Sequence, residues 1–469
     1  MSRGAHAAIV LRVSSKVKLS VDAATPTLTP AALALVTLGT GLVLVTYVTP
    51  MATVADTLVD LHGGGGGRAW VMSSMSIGLA ATLLATGAVG DRIGRRRTLV
   101  GGLVVLGLGA VACVLADGTG LFVAARVVQG IGGAAVLACG LAVLAEATTP
   151  GHERARASAA WGASLGVGIS AGVVLAGLFG SDHWRASYVV TAVLALVLAP
   201  ASHYGLRESS AVAPRRVDVT GVVLLSLGLA ALVAAVTEAR TGFTPLMLGL
   251  SVAAVALGAG FAVAQRLVTE PLVEPALMRS PAFLVATIGS AVVGLGIIAM
   301  ASNAAGLVQQ GLGATLGQAT LPLLVWSVTS VVTSLVVRRV HLTSPGPTVI
   351  ALSLAVVGVG ELLALGVTAE SSPWRLAPAF LVTGLATGVL NAVLGRESVA
   401  SVPPDRAAMG SGANNTARYL GAACGITLFS VLMTHAGDDL PSGWNIATAV
   451  AAGITFGGAA VTWRISRRA

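Results

Sequence analysis

The chain alternates between long apolar runs and short polar connections from residue 31 onward. Each run is close to the roughly 20 apolar residues that a helix needs to cross the hydrocarbon core of a bilayer. The pattern therefore predicts fourteen membrane-spanning helices, numbered 1 to 14 in chain order. They lie at about 31–54, 69–90, 98–116, 120–147, 155–180, 185–205, 219–239, 243–265, 281–308, 314–338, 347–368, 375–400, 408–434 and 444–465.

Polar segments divide these helices into groups of six, two and six. One segment carries Arg207, Arg215 and Arg216, and a second runs from Arg266 to Ser280. We therefore predict an all-α integral membrane protein with about fourteen transmembrane helices in groups of six, two and six. The predicted segments are a tail at 1–30, six helices at 31–205, a linker with helices 7 and 8 at 206–280, six helices at 281–465, and a tail at 466–469.

The positions of the basic residues support this helix count. If the N-terminus is cytoplasmic, 22 of the 28 Lys and Arg residues fall at or beside cytoplasmic segments and four fall in outside loops. Arg126 and Arg418 complete the set, within helices 4 and 13. Cytoplasmic loops of membrane proteins carry such an excess of Lys and Arg. A wrong helix count would reverse the predicted side of every loop after the miscounted helix, and the excess on one side would be lost. We expect a multi-pass protein of the cell membrane with both termini in the cytoplasm.

Composition narrows the function classes. With 55% hydrophobic and 10% charged residues, the chain has too little charge to cover a soluble domain of this length. The net charge of +9 invites a nucleic-acid interpretation, but the basic residues sit in short loops, so we expect no nucleic-acid partner. Cys113, Cys139 and Cys424 fall inside apolar runs and are predicted to be buried thiols. Neither a metal nor a cofactor is expected.

The connection between helices 2 and 3 carries the most specific pattern in the chain. It runs from Gly87 through Asp91, Arg92 and Gly94 to Arg95, Arg96 and Arg97. Glycines allow a tight turn close to a neighbouring helix, and Asp91 supplies an anion for a helix N-terminus. As a bare charge cluster this segment is equally compatible with a solvated loop.

Helix 4 contains a second pattern, Arg126 followed by Gln129, Gly130, Gly132 and Gly133. A buried Arg in a membrane span normally faces a cavity or a partner, because its charge is costly to place in lipid. The alternative is an Arg that extends to the membrane interface, since Arg126 lies only some six residues into the apolar run.

These two segments resemble the loop signature and the helix 4 motif of the major facilitator superfamily. Trp184-Arg185, Val217-Asp218 with Gly221, and Gly410 to Gly421 resemble its fourteen-helix drug:proton antiporter branch. The resemblance covers nearly the whole chain. It implies that 31–205 and 281–465 form two six-helix bundles around a central cavity, with helices 7 and 8 inserted between them. It also implies proton coupling through Arg126 and Gln129, and a gating loop at Gly87, Asp91, Arg92, Gly94, Arg95 and Arg96.

The chain departs from that branch in two places. Val173 and Ala176 replace a Pro and a Gly of the helix 5 motif, and Thr46 stands where many relatives carry a helix 1 acid. The acids that could replace that proton carrier are Asp56, Asp60, Glu238 and Glu361, of which Asp56 and Glu361 are the predicted carriers. A solvated helix end is the more common situation for Asp56, Asp60 and Glu238, whereas Glu361 is equally compatible with a structural hydrogen bond in helix 11.

Polar residues on the helices around the implied cavity predict a mildly polar, largely neutral binding site. They are Thr46, Tyr47, Asn303, Gln309, Gln310 and Asn391; individually, each also suits hydrogen bonding between helices.

Gly162-Ala-Ser164-Leu-Gly166 fits a hydrolase nucleophile pattern, but Ser164 lies in an apolar helix rather than a strand-turn-helix unit. The chain is not predicted to be an enzyme.

We therefore predict a monomeric secondary transporter in the lipid bilayer that exports small hydrophobic compounds, such as drugs or antibiotics, by proton antiport with alternating access. One alternative is a proton-independent facilitator or an uptake transporter. Another, from a different class, is a non-transporting membrane receptor or assembly subunit.

Overall fold

The computed structural model describes residues 28–63, 67–179, 183–209, 218–269, 271–272, 276–339, 344–434 and 439–467. Fourteen helices in these ranges are long and apolar enough to cross a membrane. They are α1 (Pro30–Asp60), α2 (Gly67–Ile93), α3 (Arg95–Val114), α4 (Thr119–Glu146), α5 (His152–Phe179), α6 (Trp184–Gly205), α7 (Val219–Glu238), α8 (Pro245–Leu267), α9 (Pro281–Gly311), α10 (Leu316–Val337), α11 (Gly346–Leu363), α12 (Ala377–Ala400), α13 (Ala407–Thr434) and α14 (Leu440–Ser466). Most of the predicted N-terminal tail and the residues Arg215 and Arg216 lie outside the described ranges.

Local chemistry sets where many of these helices begin. The hydroxyls of Thr29, Thr244 and Ser280 each accept a hydrogen bond from a backbone N–H in the first turn, and Pro follows each of them at the first helical position. Thr315 and Gln318 form a reciprocal capping box at the start of α10. These caps supply partners for backbone donors that the helix itself leaves unpaired.

The helices pack as two groups of six. In the first group α4 packs against α2 and α3, and α1 packs against α5 and α6. In the second, α12 packs against α10 and α11, and α14 against α11 and α13. The groups meet where α2 contacts α13 and where α5 contacts α10 and α12. The predicted architecture of two bundles and an inserted pair is confirmed, while the exact segment boundaries stay predictions.

The inserted pair lies beside the bundles. Helix α7 packs against α2, and α8 packs against α7. None of the described residues of α8 is buried, although its mean hydropathy over the most apolar window is 2.2. An apolar helix without a buried face is stable only if lipid covers it. Helix α8 therefore belongs at the outside of the molecule, facing hydrocarbon.

Helix α9 is not a regular α-helix along its whole length. Two π-helical segments, Gly294–Ile298 and Leu307–Gly311, interrupt it on either side of Ala299–Gly306. Such segments hold one extra residue per turn and change the direction in which later side chains point. Sequence periodicity alone did not predict them.

Candidate functional site

The predicted gating loop is a sharp break between α2 and α3. Gly94 separates the two helices with φ of 120°, a conformation that side chains other than hydrogen rarely permit. Gly87 lies one turn before Asp91 and faces α13, where a Cβ would collide with the carbonyl oxygen of Ala408. The two glycines therefore permit the turn and the close approach of α2 to the other bundle.

Asp91 joins the two bundles. Its carboxylate is 6% exposed and accepts hydrogen bonds from the backbone N–H groups of Ala408 (3.1 Å) and Met409 (2.9 Å) at the start of α13. Arg95 donates to the same carboxylate at 2.8 Å. The anion thus lies at a helix N-terminus, where the aligned peptide dipoles favour negative charge.

Arg95 extends this junction. Its guanidinium also donates to Glu146 Oε2 at 2.6 Å and to the carbonyl oxygen of Pro404 at 2.9 Å, so one side chain holds α2, α4 and the segment before α13 together. Arg96 binds the end of α6 through Glu208 and the carbonyl of His203, and Arg92 is exposed. We call the contacts of Asp91 and Arg95 with Ala408, Met409 and Pro404 the loop-face junction.

Arg126 lies in the middle of the first bundle and is fully buried. Its Nη1 donates to the backbone carbonyl of Thr46 at 2.6 Å and to Gln129 Oε1 at 3.1 Å. Its Nε and Nη2 donate no hydrogen bond within the described part of the chain. Because this Arg is enclosed between α1 and α4, it does not extend to the membrane interface in this conformation.

A cavity of about 60 Å³ lies between the bundles. Tyr47 and Asn391 line it, and their role in substrate binding stays a prediction. Thr46 turns its hydroxyl to the carbonyl of Leu42 and contacts Arg126 through its own carbonyl. The cavity wall also includes Arg418 and Tyr419 of α13. The site therefore combines side chains from both bundles.

The three residues of α9 that were predicted for the cavity do not line it. Asn303 accepts a hydrogen bond from Ser430 at 3.1 Å and donates to the carbonyl of Ala299, which directs it toward α13. Gln309 and Gln310 lie in the second π-helical segment at the end of α9, where Gln309 is half-buried and Gln310 exposed. Their assignment to the substrate site stays a prediction.

Sequence reasoning missed Arg418 as a cavity residue. It is 6% exposed, and its Nη1 donates to Asn391 Oδ1 at 3.0 Å while Nε and Nη2 have no hydrogen-bond partner among the described residues. Beside it, the ring of Tyr419 packs edge-to-face on Tyr47 with centroids 5.4 Å apart. The signal was a charged residue inside an apolar run, the same signal that singled out Arg126.

The two candidate proton carriers lie in different surroundings. Asp56 is half-buried near the end of α1. Glu361 on α11 is fully buried, and neither carboxylate oxygen accepts a hydrogen bond from a described residue. A Cβ on Gly296 would come within 2.6 Å of Glu361 Oε1 and would also collide with the Thr455 hydroxyl. Glu361 and Thr455 therefore flank the first π-helical segment of α9.

At the opposite end, single hydrogen bonds join the inserted pair and the turn after α7 to the two bundles. Trp70 Nε1 donates to Glu238 Oε2 at 3.2 Å, and Arg240 Nε donates to Thr427 Oγ1 at 3.2 Å. Nearer the middle, the hydroxyls of Ser170 and Ser327 share a hydrogen bond of 2.7 Å between α5 and α10. At the loop face, charged side chains of the first bundle thus form hydrogen bonds with backbone groups of the second, whereas Trp70, Arg240 and Ser170 each form a single hydrogen bond.

A membrane protein with two six-helix bundles, a central cavity and a charged junction at one end has the architecture of a secondary transporter. Residues 31–211 match the family model described as Major Facilitator Superfamily. The matched segment covers the first six-helix bundle, and the fourteen membrane-spanning helices of the described ranges fit the drug:proton antiporter branch of that superfamily. Members of this family are transporters, which confirms the prediction that the chain is not an enzyme.

Individual relatives agree with this assignment. The chain is 28% identical to a probable actinorhodin transporter of Streptomyces coelicolor over 80% of its length and 67% of that protein. It is 28% identical to the multidrug efflux pump LfrA of Mycolicibacterium smegmatis over 83% of its length and 79% of the pump. The crystal structure of the human organic anion transporter MFSD10 matches with a TM-score of 0.68 at 16% identity, over 93% of this chain and all of that one. That structural likeness shows the fold alone.

Proposed function

We propose that the chain exports small hydrophobic compounds across the cell membrane by alternating access. The observation that carries this proposal is the loop-face junction, which closes one end of a cavity shared by the two bundles. A receptor or an assembly subunit has no need of a closable charged junction beside an internal cavity. The names of the relatives, an antibiotic transporter and a multidrug efflux pump, support export of this class of compound.

The cavity volume supports a mechanism in which the bundles rock. Sites for drug-sized ligands measure about 300–1,000 Å³, and the central cavity of about 60 Å³ has room for a few water molecules. A substrate can enter only if the bundles separate at one end. Because the contacts at the loop face differ in chemistry from those at the other end, the two ends can open separately, as alternating access requires.

We propose that the loop face is cytoplasmic and that the protein works as a monomer in the plasma membrane. The distribution of Lys and Arg supports this orientation, which places both termini inside. In this orientation the observed conformation is closed to the cytoplasm. The predicted division at 31–205, 206–280 and 281–465 then separates two moving bundles from an inserted linker.

Proton antiport is the proposed source of energy. Arg126 and Gln129 form one hydrogen-bonded unit against the helix 1 backbone, so a change in charge nearby would alter the packing of α1 on α4. Glu361 is the better placed proton carrier of the two candidates, because it is fully buried within a membrane-spanning helix and forms no ion pair with a described residue. Asp56 lies nearer the opposite end and remains the second candidate.

A two-stage experiment tests this function. Cells that express the chain are compared with cells that express Arg126→Gln across a panel of hydrophobic antibiotics, and we expect lower susceptibility only with the parent chain. The compound with the largest difference is then added to proteoliposomes that enclose a pH-sensitive dye. Substrate-driven proton movement supports antiport, substrate movement indifferent to an imposed pH gradient indicates a facilitator, and no movement of any compound contradicts transport.

A further inference from the structure

The guanidinium of Arg418 lies in the cavity wall, and only part of it is hydrogen-bonded. Arg418 lines the cavity, and Asn391 occupies only its Nη1. Nε and Nη2, which form one edge of the planar group, are buried and have no hydrogen-bond partner in the described ranges. This edge presents two parallel N–H donors, the geometry that binds the two oxygens of a carboxylate together.

Other cations reinforce the positive charge around this site. Arg126 and Arg240 both lie close enough to Tyr47, a wall residue, to interact with it electrostatically. The Nε and Nη2 of Arg126 are likewise buried and without partners among the residues that the structure describes. Burial lowers the pKa of the Arg240 guanidinium to about 10, against the opposing effect of Tyr47, so Arg240 is still charged at neutral pH.

No acidic side chain among the described residues balances these charges in the cavity. Of the described residues that line it, Arg418 alone is charged. Neither Arg126 nor Arg418 forms an ion pair with any described carboxylate. An uncompensated buried charge is strongly unfavourable, and such residues in membrane spans normally pair with a ligand or another side chain.

We propose that the cavity selects hydrophobic compounds that carry one compact anion, a carboxylate or an acidic phenolate, and that the free edge of Arg418 binds this group. The inference rests on the proposed function and specifies its substrate class. A neutral compound would leave the guanidinium edge without a partner, and a cation would be repelled by it.

The other residues that line the cavity indicate the shape and polarity of the rest of the substrate. Tyr47, Tyr419 and Trp326 supply aromatic surfaces, while Ser330 and Thr387 supply hydroxyls beside an otherwise aliphatic lining. Flat aromatic ligands gain area burial and ring contacts against such side chains. The substrate class is therefore a flat aromatic acid rather than a small polar acid.

Matched probes on one scaffold test the inference. Anthraquinone-2-carboxylate, its neutral carboxamide and 2-(aminomethyl)anthraquinone are titrated into the purified full chain in lipid nanodiscs, and quenching of tryptophan fluorescence measures binding. We expect the carboxylate to bind about 10- to 100-fold more tightly than the carboxamide, the range for hydrogen bonds to a charged partner. The amine should bind most weakly.

Variants separate the guanidinium from general effects on folding. Arg418→Gln should lose the preference for the carboxylate while it keeps its affinity for the carboxamide, which also reports an intact cavity. Arg418→Lys should keep part of the preference, because it keeps the charge. Arg467→Gln removes an equal charge outside the cavity and should leave the preference unchanged.

The outcomes distinguish this inference from the proposed function. Equal binding of the three probes, no binding of any probe, or an unchanged preference in Arg418→Gln overturns the inference. If a pH gradient drives the carboxamide or the amine across the proteoliposome membrane as well as the carboxylate, the inference is overturned, but the proposed export is not. Preferential binding of the carboxylate without movement of any probe supports the inference and contradicts the proposed transport.

Discussion

The loop-face junction makes a quantitative prediction for Asp91→Asn. The backbone N–H groups of Ala408 and Met409 donate to different oxygens of Asp91, and asparagine replaces one of these oxygens with an NH₂ group, so one N–H loses its partner in the present geometry. The start of α13 also loses its anion. A partly buried charge at a helix N-terminus contributes up to about 2 kcal/mol, and a hydrogen bond to a charged group contributes about 1.5–3 kcal/mol.

These two contributions describe the same contact and are not added together. We take about 2 kcal/mol as the loss in the closed loop face, since the pair between Asp91 and Arg95 lies within one bundle and persists when the bundles separate. A loss of this size raises the ratio of open to closed loop face about 30-fold. Export should fall, because the protein then spends less time open to the opposite side.

A reporter cysteine measures this shift directly. Ser411 on α13 is fully buried and donates to the carbonyl of Leu137 on α4, so it becomes exposed only when the bundles part at the loop face. Ser411→Cys is introduced after Cys113, Cys139 and Cys424 are replaced by Ser. In inside-out vesicles, a membrane-impermeant maleimide should label it faster, by up to about 30-fold, when Asp91→Asn is also present.

Asp439→Asn is the matched control. Asp439 caps α14 at the opposite end of the molecule, within one bundle, by accepting from the backbone N–H of Ser442. Its replacement weakens a cap of the same type without touching the loop face, so labelling at position 411 should not change. The same labelling rate in Asp91→Asn, together with full transport, would show that the charge of Asp91 does not hold the loop face closed.

Three further predictions concern the cavity and the bundle contacts. Gly412→Val should slow export at least tenfold with normal membrane insertion, because its Cβ would collide with the carbonyl of Leu83 and hold α13 away from α2; transport equal to the parent in vesicles would refute the close contact. Glu361→Gln should abolish substrate-driven proton release in proteoliposomes, and release at the parental level would exclude Glu361 as the carrier. Arg126→Lys should reduce export about tenfold, since a single ammonium cannot reproduce the joint contact with Thr46 and Gln129; parental export rates would show that charge alone suffices.

The helices were predictable because hydrophobic length is a local property of the chain. Fourteen apolar runs became fourteen helices, and their ends moved by only a few residues. The extension of α1 to Asp60 was harder to see, since the polar residues near its end include Asp56 and Thr57. Thr57 stays within the helix by donating to the carbonyl of Thr53, a contact that hydropathy does not register.

The composition of the cavity wall was less predictable because it depends on how each helix is rotated. Tyr47 and Asn391 line the cavity, but Asn303 turns toward α13 and Gln310 is exposed. The π-helical segment before Asn303 adds a residue to one turn, so a regular 3.6-residue period gives the wrong direction for the side chains beyond it. Arg418 was visible as an intramembrane charge, but only the fold places it in the wall of the cavity with Tyr47.

The irregular course of α9 has a consequence for how one site can handle different compounds. Ser302 lines the cavity and Asn303 points away, and a π-helical segment lies on each side of them. If one segment migrated along the helix past this pair, both residues would turn by about 100° around the axis. The amide could then replace the hydroxyl at the cavity wall while both ends of α9 stayed in place. A single backbone would in this way offer two interchangeable linings, selected by a shift of one residue in its internal hydrogen bonding.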